Sequence, residues 1–406
     1  MAVTTKTGTF QTPTTTVPIS ISGLGFSPKA IIFFATKRIA GGVSSDVAFS
    51  FGFTGGKSGP SMSCQSESGL TTTNTCRRYR THHLIMIMAP DGSELYRGNL
   101  SSLDQDGFTI QTTKADSTTY RISYFAIGGS DIKEVDSNVF NFNAVGPTHI
   151  NVGFQPDVVM MITQCSPTGG GTLVRGLHNS IGWAVGPEDG ESISVNVIDV
   201  DGLANTTARR YMRSNKCIAA IDSGNSAELL VDFVSFDSTG FNIDVVDVPS
   251  PTEVMYLAIK GGVWKSGTIN SKTTTGLTPY TVGVKPKGIF MLSDMGVSSN
   301  TGKTNAKINV GACAPGDTSL YNLCAGFISE HGVPTSNSRQ YQHQDSIFRE
   351  FDDISFGDST GRIDIASFDA NGFTVNEVNA TVAVNQIGYL VVGDDVVTKK
   401  RRVIII

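Results

Sequence analysis

Charge is scarce in this chain. Asp, Glu, Lys and Arg make up 17% of the 406 residues, against about 25% in an average soluble domain. With 44 glycines and abundant Ser and Thr, that composition favours turns and strands over helices. No apolar period of 3.6 is sustained over ten residues, the only ambiguous stretch being SIFREFDD from Ser346 to Asp353. The net charge of −5 comes without a long basic tract, which excludes general nucleic-acid binding. The opening MAVTTKTGTFQTPTTTVPIS has no basic segment followed by an apolar one, so no secretory signal is expected. The longest apolar runs, AIIFFA and LIMIMA, are too short to span a bilayer. A soluble product of a cytoplasm, with no membrane insertion, is the expectation.

Chemical motifs are also missing. There is no Gly-x-Ser-x-Gly elbow and no legible set of nucleophile, base and orienter, so no enzymatic activity is expected. Phe53-Thr54-Gly55-Gly56-Lys57-Ser58 and Thr301-Gly302-Lys303-Thr304 have the wrong glycine spacing for a phosphate loop and no helix after them. The cysteine pairs Cys64/Cys76, Cys165/Cys217 and Cys313/Cys324 match no zinc spacing, and the histidines, His82-His83 included, do not complete one. No metal and no cofactor is therefore expected. Cys64/Cys76 and Cys313/Cys324 could staple rim loops in oxidising surroundings, although reduced thiols suit a cytoplasmic product better. Asp199-Val200-Asp201-Gly202 and Glu350-Phe351-Asp352-Asp353 lack the further ligands of a calcium loop and read as solvated turns.

What the chain does have is a threefold internal repeat. An apolar residue and Asp, two residues, then Gly-Phe-x-apolar recur at Leu103-Asp104, Phe236-Asp237 and Phe368-Asp369. The turn glycines Gly107, Gly240 and Gly372 lie 133 and 132 residues apart, and the chemistry is that of a hairpin on a type I turn whose glycine often needs positive φ. A short apolar strand carrying Tyr124, Tyr256 or Tyr389 follows each hairpin. GFSPKAIIFF, GFQPDVVMMI and GVKPKGIFML keep a similar step, as do the glycines Gly52, Gly182 and Gly311 inside FSFGF, NSIGW and KINVGA. Four landmarks in one order, three times, define a tandem array.

The fold expected is all-β: three tandem antiparallel β-sandwich units of about 130 residues. They span 1–132, 133–264 and 265–396, with a basic and apolar tail at 397–406. AIIFF, apolar on both faces, should lie centrally in its sheet, covered by a second sheet or by a neighbour. Loops are expected from Thr54 to about Thr75, from Pro167 to Val174, from Gly296 to Thr304 and from Pro315 to Asp345.

The early strand after a Phe-x-Pro turn, the GF-x-apolar hairpin and the closing Ala-Ile-Gly-Gly strand together resemble the H-type lectin fold. Tandem sandwiches of this kind are similar to virion proteins of tailed bacteriophages, in tail fibres and on capsid surfaces. The resemblance departs where sugar is concerned: the lectins often carry Trp in the last strand, where this chain has Tyr124, Tyr256 and Tyr389. No sugar-binding residue carries over.

Two features suggest contacts. Arg77, Arg78, Tyr79 and Arg80 occupy the same place in the first repeat as Arg209, Arg210, Tyr211 and Arg213 in the second, and as Arg339, Tyr341 and His343 in the third. Arg and Tyr suit interfaces and the recognition of glycans or carboxylates, with inter-unit or subunit contact ranked ahead of sugar; the alternative is an exposed strand edge whose arginines pair with local Asp or Glu. The tail ends in Val403, Ile404, Ile405 and Ile406 behind four cations, a segment able to add a strand to a neighbour or to fold back as a last strand on the third unit. The resulting expectation is a non-enzymatic structural protein of a tailed-phage virion, assembled in the host cytoplasm, whose partners are other virion proteins and copies of itself. The alternative is a tail adhesin that binds a host surface glycan.

Overall fold

The computed structural model describes residues 2–56, 59–166, 171–248, 251–298, 300–351 and 361–395. Among these residues there is no helix; the chain is all-β, as expected, with 33 strands. Lys57 and Ser58, part of the 167–174 loop, the acidic pair Asp352-Asp353 and the whole tail from 396 to 406 lie outside the described residues.

The first eleven strands set the plan. They are β1 (Thr4–Gln11), β2 (Pro18–Ser22), β3 (Pro28–Thr36), β4 (Gly42–Ser45), β5 (Val47–Thr54) and β6 (Ser61–Ser66), followed by β7 (Thr75–Arg80), β8 (Ile85–Met88), β9 (Glu94–Asp104), β10 (Gly107–Lys114) and β11 (Arg121–Gly128). An inner sheet runs β1-β11-β3-β5-β6-β7, and an outer sheet β2-β10-β9-β8 packs on it. The same two sheets recur with every strand eleven places later, and again after eleven more.

Each inner sheet gains a seventh strand from another set. β15 (Val174–Arg175), the fourth strand of the second set, pairs with β7. β26 (Gly302–Thr304), from the third set, pairs with β18 (Ala208–Arg213) of the second. β4 returns from the first set to pair with β29 (Ser338–His343) of the third. The lending is cyclic, second set to first, third to second and first to third, so one chain closes into an approximately threefold block. β26 lies inside a segment expected to be a loop and β15 starts at the end of another, while β4 falls outside the expected loops. The expected loops 54–75 and 315–345 hold β6, β28 (Leu320–Ser329) and β29; polar residues hid the strand pattern in β6 and β29, whereas β28 is mostly apolar. In β6, Met62 and Cys64 enter the core while Ser61, Ser63 and Gln65 are buried between them.

Both expected covers of the central strand occur. From β3, Ile31 and Phe33 pack against the outer sheet with Ile85 and Phe108, while Ile32 and Phe34 join a core shared by all three sets. In that core Phe51 and Trp183 meet Phe290, with ring centroids 6.0 and 5.9 Å apart, and Phe49 meets Phe327 at 5.6 Å. A small apolar cavity of about 10 Å³ lies there, lined by residues such as Ile32, Phe125, Met160, Leu257, Phe290 and Leu390. Its lining offers no polar group to hold a water.

The repeated glycines have a steric cause. A Cβ on Gly52, Gly182 or Gly311 would lie 2.2, 2.2 or 1.9 Å from the carbonyl oxygen of Leu84, Cys217 or Ile347. The hairpin glycines correct the expectation of positive φ: Gly107, Gly240 and Gly372 are absent from the left-handed positions. A Cβ on each would instead lie 1.8 to 1.9 Å from the carbonyl of Ile21, Ile150 or Tyr280. The hairpin Asp does organise the turn: Asp237 Oδ1 accepts from the amides of Thr239 and Gly240 at 2.9 and 3.0 Å, the Asx pattern.

Candidate functional site

The three junctions where arms dock are built on β7, β18 and β29, the strands that carry the Arg/Tyr clusters. Ladder register aligns them. Ser66 pairs with Thr75, Asp199 with Ala208 and Ser329 with Ser338, which makes Arg77, Arg210 and Gln340 equivalent. Arg77 Nη1 donates to the carbonyls of Arg175 and Gly176 at 3.2 and 2.7 Å. Arg210 Nη1 donates to the carbonyls of Thr304 and Asn305, the latter at 3.1 Å. These acceptors are also equivalent, at the end of each arm. The chain then turns at Gly176, Asn305 or Asp46, all at positive φ of 80°, 63° and 65°, conformations that Gly, Asn and Asp tolerate best.

The third junction uses amide chemistry. Gln340 Oε1 accepts from the backbone N–H of Lys37 at 3.1 Å and of Ala48 at 3.0 Å, and its Nε2 donates to Ser44 Oγ at 3.3 Å. Gln342 Nε2 donates to Ser123 Oγ at 2.9 Å.

The remaining cluster residues are used within their own set. Arg78 and Arg80 hold Glu94, with Arg97 at 2.9 Å. Burial alone would raise the Glu94 pKa, but the hydrogen bonds from Arg80 and Arg78 keep it below its ordinary value. Arg209 Nε reaches the Ser223 carbonyl at 3.5 Å. Arg213 lies over the Tyr211 ring at 5.5 Å and donates to its hydroxyl. Register separates the tyrosines: Tyr211 and Tyr341 share a position with Arg78, while Tyr79 faces the shared core. Tyr341 Oη lies 2.6 Å from Asn309 Oδ1, His343 Nδ1 lies 3.8 Å from Asp345, and Arg339 pairs with Ser45 in the ladder. None of the eleven residues is exposed.

One end of the ring is closed by Ser66, Asp199 and Ser329, equivalent last residues of β6, β17 (Ile193–Asp199) and β28. Asp199 Oδ2 accepts from Ser66 Oγ at 2.8 Å and Ser329 Oγ at 2.6 Å. Asp199 is 1% exposed and Glu350 6%, which corrects their reading as solvated turn residues. Burial raises the Asp199 carboxyl to about 6, against the lowering effect of the two serines. Glu350 accepts from the Val382 amide and from Asn385 Nδ2, both at 2.8 Å.

Lys303, from the second phosphate-loop-like stretch, pairs with buried Asp294 at 2.7 Å. All six cysteines are free. Cys64 lies opposite Arg77 and Cys76 opposite Gln65, so their side chains leave opposite faces of the sheet and cannot be joined as they stand. Cys313 and Cys324 sit on neighbouring strands in one core, and burial raises Cys324 to about 12.

One constellation was not legible in the sequence. Cys165, His178 and Glu228 bring a thiol, an imidazole and a carboxylate oxygen within 4.8 Å of one another. His178 Nδ1 lies 3.3 Å from Glu228 Oε1, and burial lowers the imidazole to about 3, keeping it neutral. These are residues able to hold a metal. Their separations along the chain, 13 and 50 residues, fit no motif. The chain matches no family model and no curated protein.

Proposed function

We propose that the chain is a non-enzymatic structural protein of a tailed-phage virion, a rigid block that presents three similar outer sheets to repeated neighbours on a capsid or tail surface. The observation that carries this reading is the cyclic lending of the fourth strand around one shared core. Such closure fixes three outward faces relative to one another, as a particle surface with repeated neighbours requires. The likeness in pattern to H-type lectin-like sandwiches of phage particles supplies the class. The Arg/Tyr clusters work at and around the chain's own junctions, so contacts to neighbours fall to the outer sheets and rims. There Val17, Val145, Leu203, Val246, Leu277 and Val382 are exposed. Both tryptophans are buried, Trp183 at 0% and Trp264 at 4% exposure. Neither offers a platform for stacking sugar, which ranks the glycan-binding adhesin second.

Immunogold electron microscopy of purified particles with antibody against this chain tests the reading. Gold over the head or along the tail surface is expected. Gold confined to the tail tip or fibre ends, with binding to host glycan, would replace it with the adhesin, and unlabelled particles would overturn the virion assignment.

A further inference from the structure

We propose that Cys165, His178 and Glu228 form a binding site for a zinc-class divalent cation at the root of the arm that the second strand set lends to the first. Three different segments converge there. Cys165 follows β14 (Val158–Thr163), His178 is the second residue of β16 (Leu177–Val185), and Glu228 is the second residue of β20 (Ala227–Asp237). Their ligand atoms already lie within 4.8 Å of one another. Bonds of 2.0 to 2.3 Å to a tetrahedral zinc would place them roughly 3.3 to 3.8 Å apart, a contraction of about 1 Å that side-chain rotation can supply.

The donor set suits the ion. One soft thiolate, one imidazole and one carboxylate form a three-ligand zinc site with the fourth corner left to water. His178 is 6% exposed, and its Nε2 has no hydrogen-bond partner. Glu228 is 24% exposed at its side chain, so an ion can enter along it. Arg77 lies close by, but a thiolate and a carboxylate cancel the charge of a divalent ion, so the arginine faces a neutral centre. Its Nη1 is meanwhile held by the Arg175 and Gly176 carbonyls. Binding releases the Cys165 proton to solvent and involves no redox change.

The placement is specific to one junction. Phe33, Met161 and Met291 pair with the repeated tyrosines, so Cys165 corresponds to Lys37 and Met295. Counting back from Gly52, Gly182 and Gly311, His178 corresponds to Ala48 and Lys307. Glu228 corresponds to Leu95 in the first set, nine residues before the hairpin Asp in both. Among the described residues, Lys37 with Ala48 and Met295 with Lys307 replace the thiol and the imidazole, so the other two junctions lack this donor pair. The left-handed backbone at Cys165, φ 47°, is shared by Met295 at 52° and belongs to the fold. The ligands do not. Because β15 and Gly176 separate Cys165 from His178, an ion here would clip the base of the arm.

The test uses the full reduced chain, stripped of metal and titrated with Co²⁺ as a visible probe, then with Zn²⁺. One equivalent of Co²⁺ should bind with thiolate-to-cobalt charge-transfer absorption and be displaced by Zn²⁺. Cys165→Ser should abolish that absorption, and Glu228→Gln should weaken Co²⁺ binding by about tenfold or more. Circular dichroism verifies that each variant is folded. Glu228→Gln, at a part-exposed side chain, keeps the test decisive if Cys165→Ser does not fold. Absence of charge-transfer absorption from the wild-type chain in excess Co²⁺ would overturn the proposal. So would unchanged absorption in folded Cys165→Ser, or unchanged affinity in Glu228→Gln.

Discussion

Two of the junctions fasten an arm with arginine, and the third fastens it with glutamine. Arg77 and Arg210 reach forward to the carbonyls that end β15 and β26. Gln340, at the same ladder position, takes the amides of Lys37 and Ala48 and touches β4 through Ser44. The backbone answers are the same in all three: a short arm, a left-handed residue, then Leu177, Ala306 or Val47 entering the shared core. Topology is therefore set by the apolar residues on either side of the arm and by the turn. The polar fastening is free to differ as long as the buried backbone groups at each seam are satisfied. The third junction has the further task of joining the first strand set to the last, across nearly 300 residues of sequence.

Changes to what the junctions share should have the largest effect. Trp183→Ala empties part of the common core and removes the Nε1 hydrogen bond to Ser266 Oγ, 2.7 Å long. Urea unfolding should show a loss of about 3–5 kcal/mol, in one transition monitored equally by probes in each strand set. Separate transitions would show that the core does not couple them. At the glutamine seam, Gln340→Leu takes the side-chain acceptor from the Ala48 amide, leaves the Lys37 amide only the Ala48 carbonyl at 3.1 Å, and removes the bond to Ser44 Oγ, for a loss of about 2–4 kcal/mol. A neutral result would mean that the side chain does not hold the seam.

Asp199, at the end of the ring, gives a pH test. Burial pushes its folded-state carboxyl up to about 6 from the ordinary 3.8, so the folded state holds the proton more tightly than the unfolded one. That contribution is fully present below about pH 4 and is lost as pH rises through 6. Asp199→Asn should remove the dependence. Relative to the variant, the wild type should lose up to about 3 kcal/mol between pH 4 and pH 8, and parallel stability curves for the two would contradict this. The smallest of the four effects is expected for Arg77→Met. It keeps the apolar stem and forfeits hydrogen bonds from a charged donor, for about 2 kcal/mol in the same unfolding measurement. A larger loss than at Gln340 would reverse the ranking of the seams.

The sequence showed the all-β class and the threefold landmarks because each landmark is a local steric demand. Gly52, Gly182 and Gly311 admit a carbonyl, Gly107, Gly240 and Gly372 admit another, and Asp237 turns a hairpin through its own side chain. The arms were not legible. β15 is two residues long and β26 three, and β4 reads Gly-Val-Ser-Ser; none has room for an alternating pattern, and their partners lie in other repeats. The Arg/Tyr strings stood out by composition, yet composition does not give register: Tyr79 and Tyr211 look aligned in the sequence and lie one ladder position apart. Cys165, His178 and Glu228 meet only because three strands of one sandwich end at the same rim.

The most direct test of the closed ring is a cross-link across its third seam in the full chain. Ser45 and Arg339 are ladder partners, so the double substitution Ser45→Cys, Arg339→Cys places two thiols within disulfide reach. After mild oxidation and proteolysis, mass spectrometry should find the peptides around 45 and 339 joined, with no cross-link between chains. Free thiols at both positions in a folded, oxidised chain would contradict the exchange of β4 and, with it, the closed block.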